Sequence, residues 1–337
     1  MNQAAPVKID PEKMHVLIEH KHDRPLTACH WEPTSRFVFF GAEDNLVHRV
    51  DLTTNTAIAM PGHDSWIRSF ASSLNGEFLI TGGYEGRLIW WPATAEKPEP
   101  IRVVEAHQGW IRALASSPDG KYIASCGNDL LIKLWDTTTG ALVREFPGHQ
   151  SHIYNVLFSP DSTTMFSCDL KGTLKAWAID TPTPRDVVTV EALHKYDTTF
   201  RADIGGARSI ALRSDGALLA LGGITNVSNA FAGTGDVVVV LVNLPENKID
   251  VQLESKDKMK GATWGVAHHP DGFWIGLTGG GSGGWFFFWR GDGPHEYFKL
   301  QLKSGGRGMS ISPDRAHVAV AHADSFLRTY ALYEKPA

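Results

Sequence analysis

Cysteine is scarce in this chain. Only Cys29, Cys126 and Cys168 occur among 337 residues, and an odd, sparse set does not make a disulfide framework. No apolar run approaches the roughly 18 residues that a membrane-crossing helix needs. The N-terminal MNQAAPVKIDPEK lacks the basic stretch and apolar core of a secretory leader. Neither sign of charge is in large excess: 32 Lys and Arg stand against 37 Asp and Glu, a formal net charge of -5. That balance argues against a nucleic-acid surface covering the molecule, while leaving room for a local basic patch. Helical periodicity is hard to find. The expectation is a soluble, cytoplasmic protein without a membrane span. Asn226-Val-Ser228 fits a glycosylation sequon but has no secretory context and is read as chance.

Glycine (33) and tryptophan (11) are plentiful, and the chain repeats itself. Residues 106–136 read AHQGWIRALASSPDGKYIASCGNDLLIKLWD, and residues 148–178 read GHQSHIYNVLFSPDSTTMFSCDLKGTLKAWA. Both run from a small residue and His through an apolar strand, Ser-Pro-Asp, a strand ending in Ser-Cys, a tight turn and a strand ending near Trp. Residues 62–92 match again, and weaker copies lie at 21–52, 205–243, 259–290 and 303–330. A fixed landmark in the tight turn falls on Asp44, Glu85, Asp129, Lys171, Asp236, Gly283 and Asp324, so successive spacings are 41, 44, 42, 65, 47 and 41.

A period of about 40–45 residues with His and Trp-Asp landmarks resembles the WD-repeat (WD40) family, whose repeats are four-stranded propeller blades. The resemblance covers about residues 14–333, with three close copies and four degraded ones. It implies an all-β, seven-bladed WD40 β-propeller of four-stranded antiparallel blades, forming one domain over 14–333. Residues 1–13 are expected to be a flexible N-terminus and 334–337 a C-terminal tail. The alternating stretch 14–20 precedes His22 as 142–146 precedes His149, so by analogy it is an outer strand that completes the seventh blade and leaves no free edge.

The resemblance also implies a buried hydrogen-bond network in each blade. Residues 106–136 supply a complete set in His107, Ser125, Asp129 and Trp135. The second repeat supplies His63, Thr81, Glu85 and Trp91, with Glu for Asp. The fourth has His149, Ser167 and Trp177 but Lys171 at the acidic position, and the last three have no matching histidine and must rely more on packing, as in WFFFW at 285–289. A Ser/His/Asp set also permits a catalytic reading. Here the groups are expected to be buried around an indole, and no Gly-x-Ser-x-Gly elbow is present.

Two features point to a binding face. The fifth repeat exceeds the others by about 20 residues, divided between its b–c turn (224–235) and its lead-in (194–206), and loops of unusual length are often functional. Counting five residues back from the Ser of Ser-Pro-Asp gives Thr27, Arg68, Arg112, Tyr154, Arg208, Trp264 and Arg307; two residues earlier lie Trp66, Trp110 and His152. Arg and Trp dominate interface hot spots, and arginine grips carboxylate and phosphate through two parallel hydrogen bonds. The bland alternative pairs these arginines with acids such as Asp64 or Glu85.

The expected function is therefore a non-catalytic scaffold that binds protein partners, with acidic or phosphorylated segments as candidates, through an Arg/Trp-rich top face and the fifth-blade loops. It would act as a monomeric propeller or as a subunit of a complex. The alternative is a propeller hydrolase or lyase with its site at the channel. The inner strands IRSFASS, IRALASS, IYNVLFS, ARSIALR and GMSISPD carry almost no acids, which disfavours the acid–base chemistry such an enzyme needs. Net charge likewise disfavours nucleic acid. No cofactor or metal is expected: His20 with His22, and His268 with His269, lack companion ligands at sequence spacing and read as surface or capping residues.

Overall fold

The computed structural model describes residues 7–229 and 234–335. Its strands form seven four-stranded antiparallel sheets arranged as the blades of a propeller. The inner, a strands are Leu26–Trp31, Ile67–Ser72, Ile111–Ser116, Ile153–Phe158, Ser209–Leu212, Ala262–His269 and Gly306–Ile311. In blades 1 to 6 the strands b, c and d follow in sequence order toward the outside.

Burial explains why alternation is weak in the middle strands. Phe37–Ala42 and Phe273–Gly279 are buried at every position, because each blade is covered by a neighbour on both faces. Outer strands alternate or are mostly exposed, as in Leu142–Pro147. The Ser-Pro-Asp elements make the a–b turns by local hydrogen bonding. Ser117 Oγ donates to Asp119 Oδ1 at 2.6 Å and accepts the Tyr122 N–H at 2.9 Å. The core is correspondingly a ring of seams between blades. One seam joins Phe39 and Val47 of blade 1 to Ile67 and Trp91 of blade 2; another joins Phe286 and Phe288 of blade 6 to Val318 and Tyr330 of blade 7.

The ring closes with strands from both ends of the chain. His15–Lys21 pairs with Phe326–Ala331 and is the outermost strand of blade 7. Residues 10–13, expected to belong to a flexible N-terminus, are held against the propeller. Pro11–Lys13 is a 3-10 turn with Pro11 buried, and the Asp10 N–H donates to Leu332 O at 2.7 Å. Those contacts anchor the segment against the last blade. The expected flexibility of residues 1–6, and of 336–337 in the tail, lies outside the described residues.

The fifth-blade excess has two structural parts. His194–Asp197 and Ala202–Gly205 form a separate two-stranded hairpin ahead of blade 5. Strands b and c of that blade, Leu218–Asn229 and Thr234–Asn243, extend beyond their counterparts in the other blades. No helix among the described residues is long and apolar enough to cross a membrane.

Candidate functional site

The inner strands share one irregularity. Pairing register slips between Leu26 and Ala28, Ile67 and Ser69, Ile111 and Ala113, Ile153 and Asn155, Thr263 and Gly265, and Gly306 and Gly308. The skipped residues are Thr27, Arg68, Arg112, Tyr154, Trp264 and Arg307. In blade 5 the corresponding Arg208 immediately precedes its strand, and its N–H donates to Gly222 O at 2.8 Å. A bulge bends the strand and re-aims one side chain. Repeated around the ring, it brings Arg68, Arg112, Arg208, Trp264 and Arg307 to the wall of one central cavity of about 220 Å³. Thr27 and Tyr154 do not line it: Thr27 is buried with its hydroxyl donating to Ile67 O, and Tyr154 packs against Arg112.

The arginines are held mainly by aromatic rings. The Arg68 guanidinium carbon lies 5.0 Å, and that of Arg208 4.5 Å, from the ring centre of Trp264. Arg112 lies 4.6 Å from Trp110 and 4.5 Å from Tyr154. Trp110 in turn stacks on Tyr84 at 4.1 Å with an interplanar angle of 3°. Among the described residues, only Arg307 of the four has a carboxylate, Glu43 at 2.5 Å. The acids suspected of neutralising the ring are used elsewhere: Asp64 pairs with Arg87, and Glu85 with His63 and Ser65. Arg112 has a neutral partner, Asn128 Oδ1, at 2.9 Å, and the buried Nε of Arg208 has no hydrogen-bond partner.

The electrostatic consequence is visible at Arg68. Burial, joined by the charges of Arg208, Arg307 and Arg112, pushes its guanidinium below the usual arginine range. Burial and Arg112 act in the same direction on Arg208. The mouth of the channel is thus a set of like charges with too few counter-charges, and an anion entering it would relieve repulsion as well as gain hydrogen bonds. Trp66 and Trp110 are 42% and 43% exposed, and Trp110 lies against Arg112. His152 is exposed too, and burial with the nearby Arg112 charge lowers its pKa, favouring the neutral ring at neutral pH. The cavity wall includes His30 but no carboxylate. Sequence reasoning missed Glu43, Tyr84 and Asn128. Each directly precedes the turn landmark of its blade, at Asp44, Glu85 and Asp129, so that column carried the signal.

The blade networks are separate from the cavity wall, which none of their residues lines. In blade 3 the Trp135 indole N–H donates to Ser125 Oγ at 2.8 Å, and Ser125 Oγ lies 2.7 Å from His107 Nε2. His107 Nδ1 lies 2.9 Å from Asp129 Oδ1. Blade 2 repeats the chain with Trp91, Thr81, His63 and Glu85. The serine hydroxyl is buried and engaged on both sides, which removes it as a nucleophile. In blade 4 the lost acid at Lys171 is replaced from two residues earlier: His149 Nδ1 lies 2.9 Å from Asp169 Oδ2. Blade 7 has no histidine before its first strand, but His322 from strand b bonds Tyr330 Oη at 3.1 Å and Ser304 O at 3.0 Å. Blade 1 departs in another way, since His22 and His48 both meet Asp44.

Comparison with known proteins agrees with this architecture. The family described as "WD domain, G-beta repeat" matches residues 55–92, 98–136 and 140–178. Each match runs from the d strand of one blade to the c strand of the next. The rat apoptotic protease-activating factor 1 is 24% identical over 206 residues, covering 61% of this chain and 15% of that protein. Subunit 5 of the Caenorhabditis elegans transcription initiation factor TFIID is 28% identical over 189 residues, covering 55% and 28%. A Caenorhabditis briggsae guanine nucleotide-binding protein subunit beta-1 is 27% identical over 148 residues, covering 43% and 44%. The chain therefore spans less than half the length of these relatives. The three matched repeats are WD repeats, and the seven blades make the chain a β-propeller similar to those of the WD-repeat family.

Proposed function

We propose that the chain is a non-catalytic scaffold whose top face captures an acidic or phosphorylated segment of a protein partner. The observation that carries this reading is the convergence of Arg68, Arg112 and Arg208 on one cavity without a carboxylate partner among the described residues. Guanidinium groups packed on aromatic faces keep their hydrogen-bond donors for a ligand, and desolvation at the mouth strengthens each contact. Trp66, Trp110, His152, Tyr154, Trp264 and Arg307 would complete the contact surface. The hairpin of 194–205, with Tyr196 and Phe200 more than half exposed, offers a second contact area beside it. The relatives support the interaction role in general terms, since two of the three carry "subunit" in their names. A cytoplasmic setting, and work as a single propeller or within a complex, belong to the same reading.

The test is a pull-down with Arg68→Glu combined with Arg112→Glu. The reversed charges should abolish capture of partners that bind wild type, and rising salt should weaken wild-type capture progressively. A variant that folds and retains every wild-type partner would overturn the proposal.

A further inference from the structure

Blade 1 contains a feature that its neighbours lack. His22 Nε2 lies 3.0 Å and His48 Nε2 2.8 Å from the same oxygen, Asp44 Oδ2. One ligand atom from each of the three residues can be chosen so that all lie within 4.8 Å of one another. His22 and Asp44 correspond to the histidine and acid of the blade 3 network. There the second imidazole nitrogen is occupied by Ser125, which also serves Trp135. In blade 1 the cross-strand pairing puts Phe40 where blade 3 has Ser125 and His48 where it has Lys133. The hydroxyl relay is gone, and a second imidazole shares the carboxylate instead.

The three groups are held in place before any ligand arrives. The Leu46 N–H donates to Asp44 Oδ1 at 3.0 Å, which fixes the carboxylate and leaves Oδ2 toward the histidines. Phe40 stacks on His48 at 4.8 Å and meets His22 edge-on at 5.4 Å. The side chains of His22 and Asp44 are 16% and 22% exposed and that of His48 7%, so the cluster is sheltered but open to solvent on one side.

We propose that His22, Asp44 and His48 form a binding site for a divalent transition-metal ion of the zinc type. Two imidazole nitrogens and one carboxylate oxygen are a donor set such ions favour, with bonds of about 2.0–2.2 Å, and the solvent side leaves room for a water ligand. The ion replaces the hydrogens now shared between the rings and the carboxylate, and ties the lead-in of blade 1 to its b–c turn and c strand.

The experiment uses the untagged full chain, stripped with chelator and titrated with Zn2+ by calorimetry, and with Co2+ by visible absorption. One equivalent should bind, Zn2+ should raise the melting temperature where Mg2+ does not, and Co2+ should show the absorption of a low-coordinate site. His22→Gln and His48→Gln should each weaken Zn2+ binding by more than about tenfold, since even outer-shell changes commonly cost that much. Asp44→Asn, which keeps the shape, should do the same, and melting curves in chelator report whether each variant folds. The exposed His295→Gln should bind like wild type. Absence of a one-equivalent Zn2+ site in wild type, or equal binding by folded His22→Gln and His48→Gln proteins, overturns the proposal.

Discussion

Blades 3 and 6 fasten the same two strands by different physics. In blade 3 Ser125 stands opposite Lys133, and its hydroxyl accepts the indole N–H of Trp135. In blade 6 the residue at that place is Gly276, opposite Phe287. A Cβ there would come within 2.5 Å of Trp289 Cζ3, so the Trp289 ring occupies the space that the serine side chain fills in blade 3. Its N–H goes instead to Glu254 O at 3.0 Å. Phe286, Phe287 and Phe288 supply the remaining contact, all fully buried. One blade satisfies buried polar groups in series, while the other removes them and fills the volume with rings. The lesson is that a repeat can lose its polar signature and keep its geometry when a large apolar side chain replaces both the hydroxyl and its partners.

The sharpest way to break this contrast is Trp289→Ala. It opens a large void where no polar network compensates, and should cost about 3–5 kcal/mol, read from denaturant midpoints. Ser125→Ala comes next. It strips partners from both His107 Nε2 and the Trp135 indole, each buried, for about 1–3 kcal/mol per orphaned group. Gly276→Ser tests whether the polar solution can be transplanted. The new Cβ meets the Trp289 ring, so the variant should lose about 1–3 kcal/mol by overpacking and gain no bond to the indole. Restored or raised stability in chemical denaturation would show that the two blades are interchangeable after all.

The smallest effects concern pH. Asp129 is held below the usual carboxylate range: burial opposes this, but the hydrogen bond and charge of His107 outweigh it. A lowered acid contributes stability above its unfolded pKa, which is lost as pH falls through the folded value. Blade 7 titrates in a higher window. Burial, aided by the Arg328 charge, lowers His322 from 6.5 to about 4. The unfolded chain takes up that proton below about 6.5 and the folded one only near 4. Stability should therefore drop as pH falls across this window, and His322→Gln should flatten that part of a melting temperature against pH curve. An unchanged slope would show that His322 does not carry the effect.

The blade 3 network was legible residue by residue, because His107, Ser125, Asp129 and Trp135 sit at fixed offsets within one repeat. The substitute acid of blade 4 was not: Asp169 lies two residues from the expected position and acts only because strand b ends there. His322 escaped for the same reason, entering its network from strand b and not from the lead-in. At the channel, spacing identified Arg68, Arg112, Arg208 and Arg307 as one column. It could not show which acids reach them, since Glu43 is 264 residues from Arg307 in sequence, whereas Asp64 and Glu85 were near in sequence yet committed to other partners.

What the sequence determined alone was the unit and its number. Period, turn chemistry and strand pattern are local properties, and seven registered copies with a leading strand leave one way to close the ring. What only the tertiary structure decided was the pairing of charges. Whether a guanidinium meets a carboxylate or an aromatic face depends on residues from other blades brought within a few ångströms. Electrostatic and hydrogen-bond energies fall away over that distance, so the gathering of uncompensated arginines at the channel is settled by closure of the ring, whereas the two imidazoles on Asp44 meet through the folding of one blade.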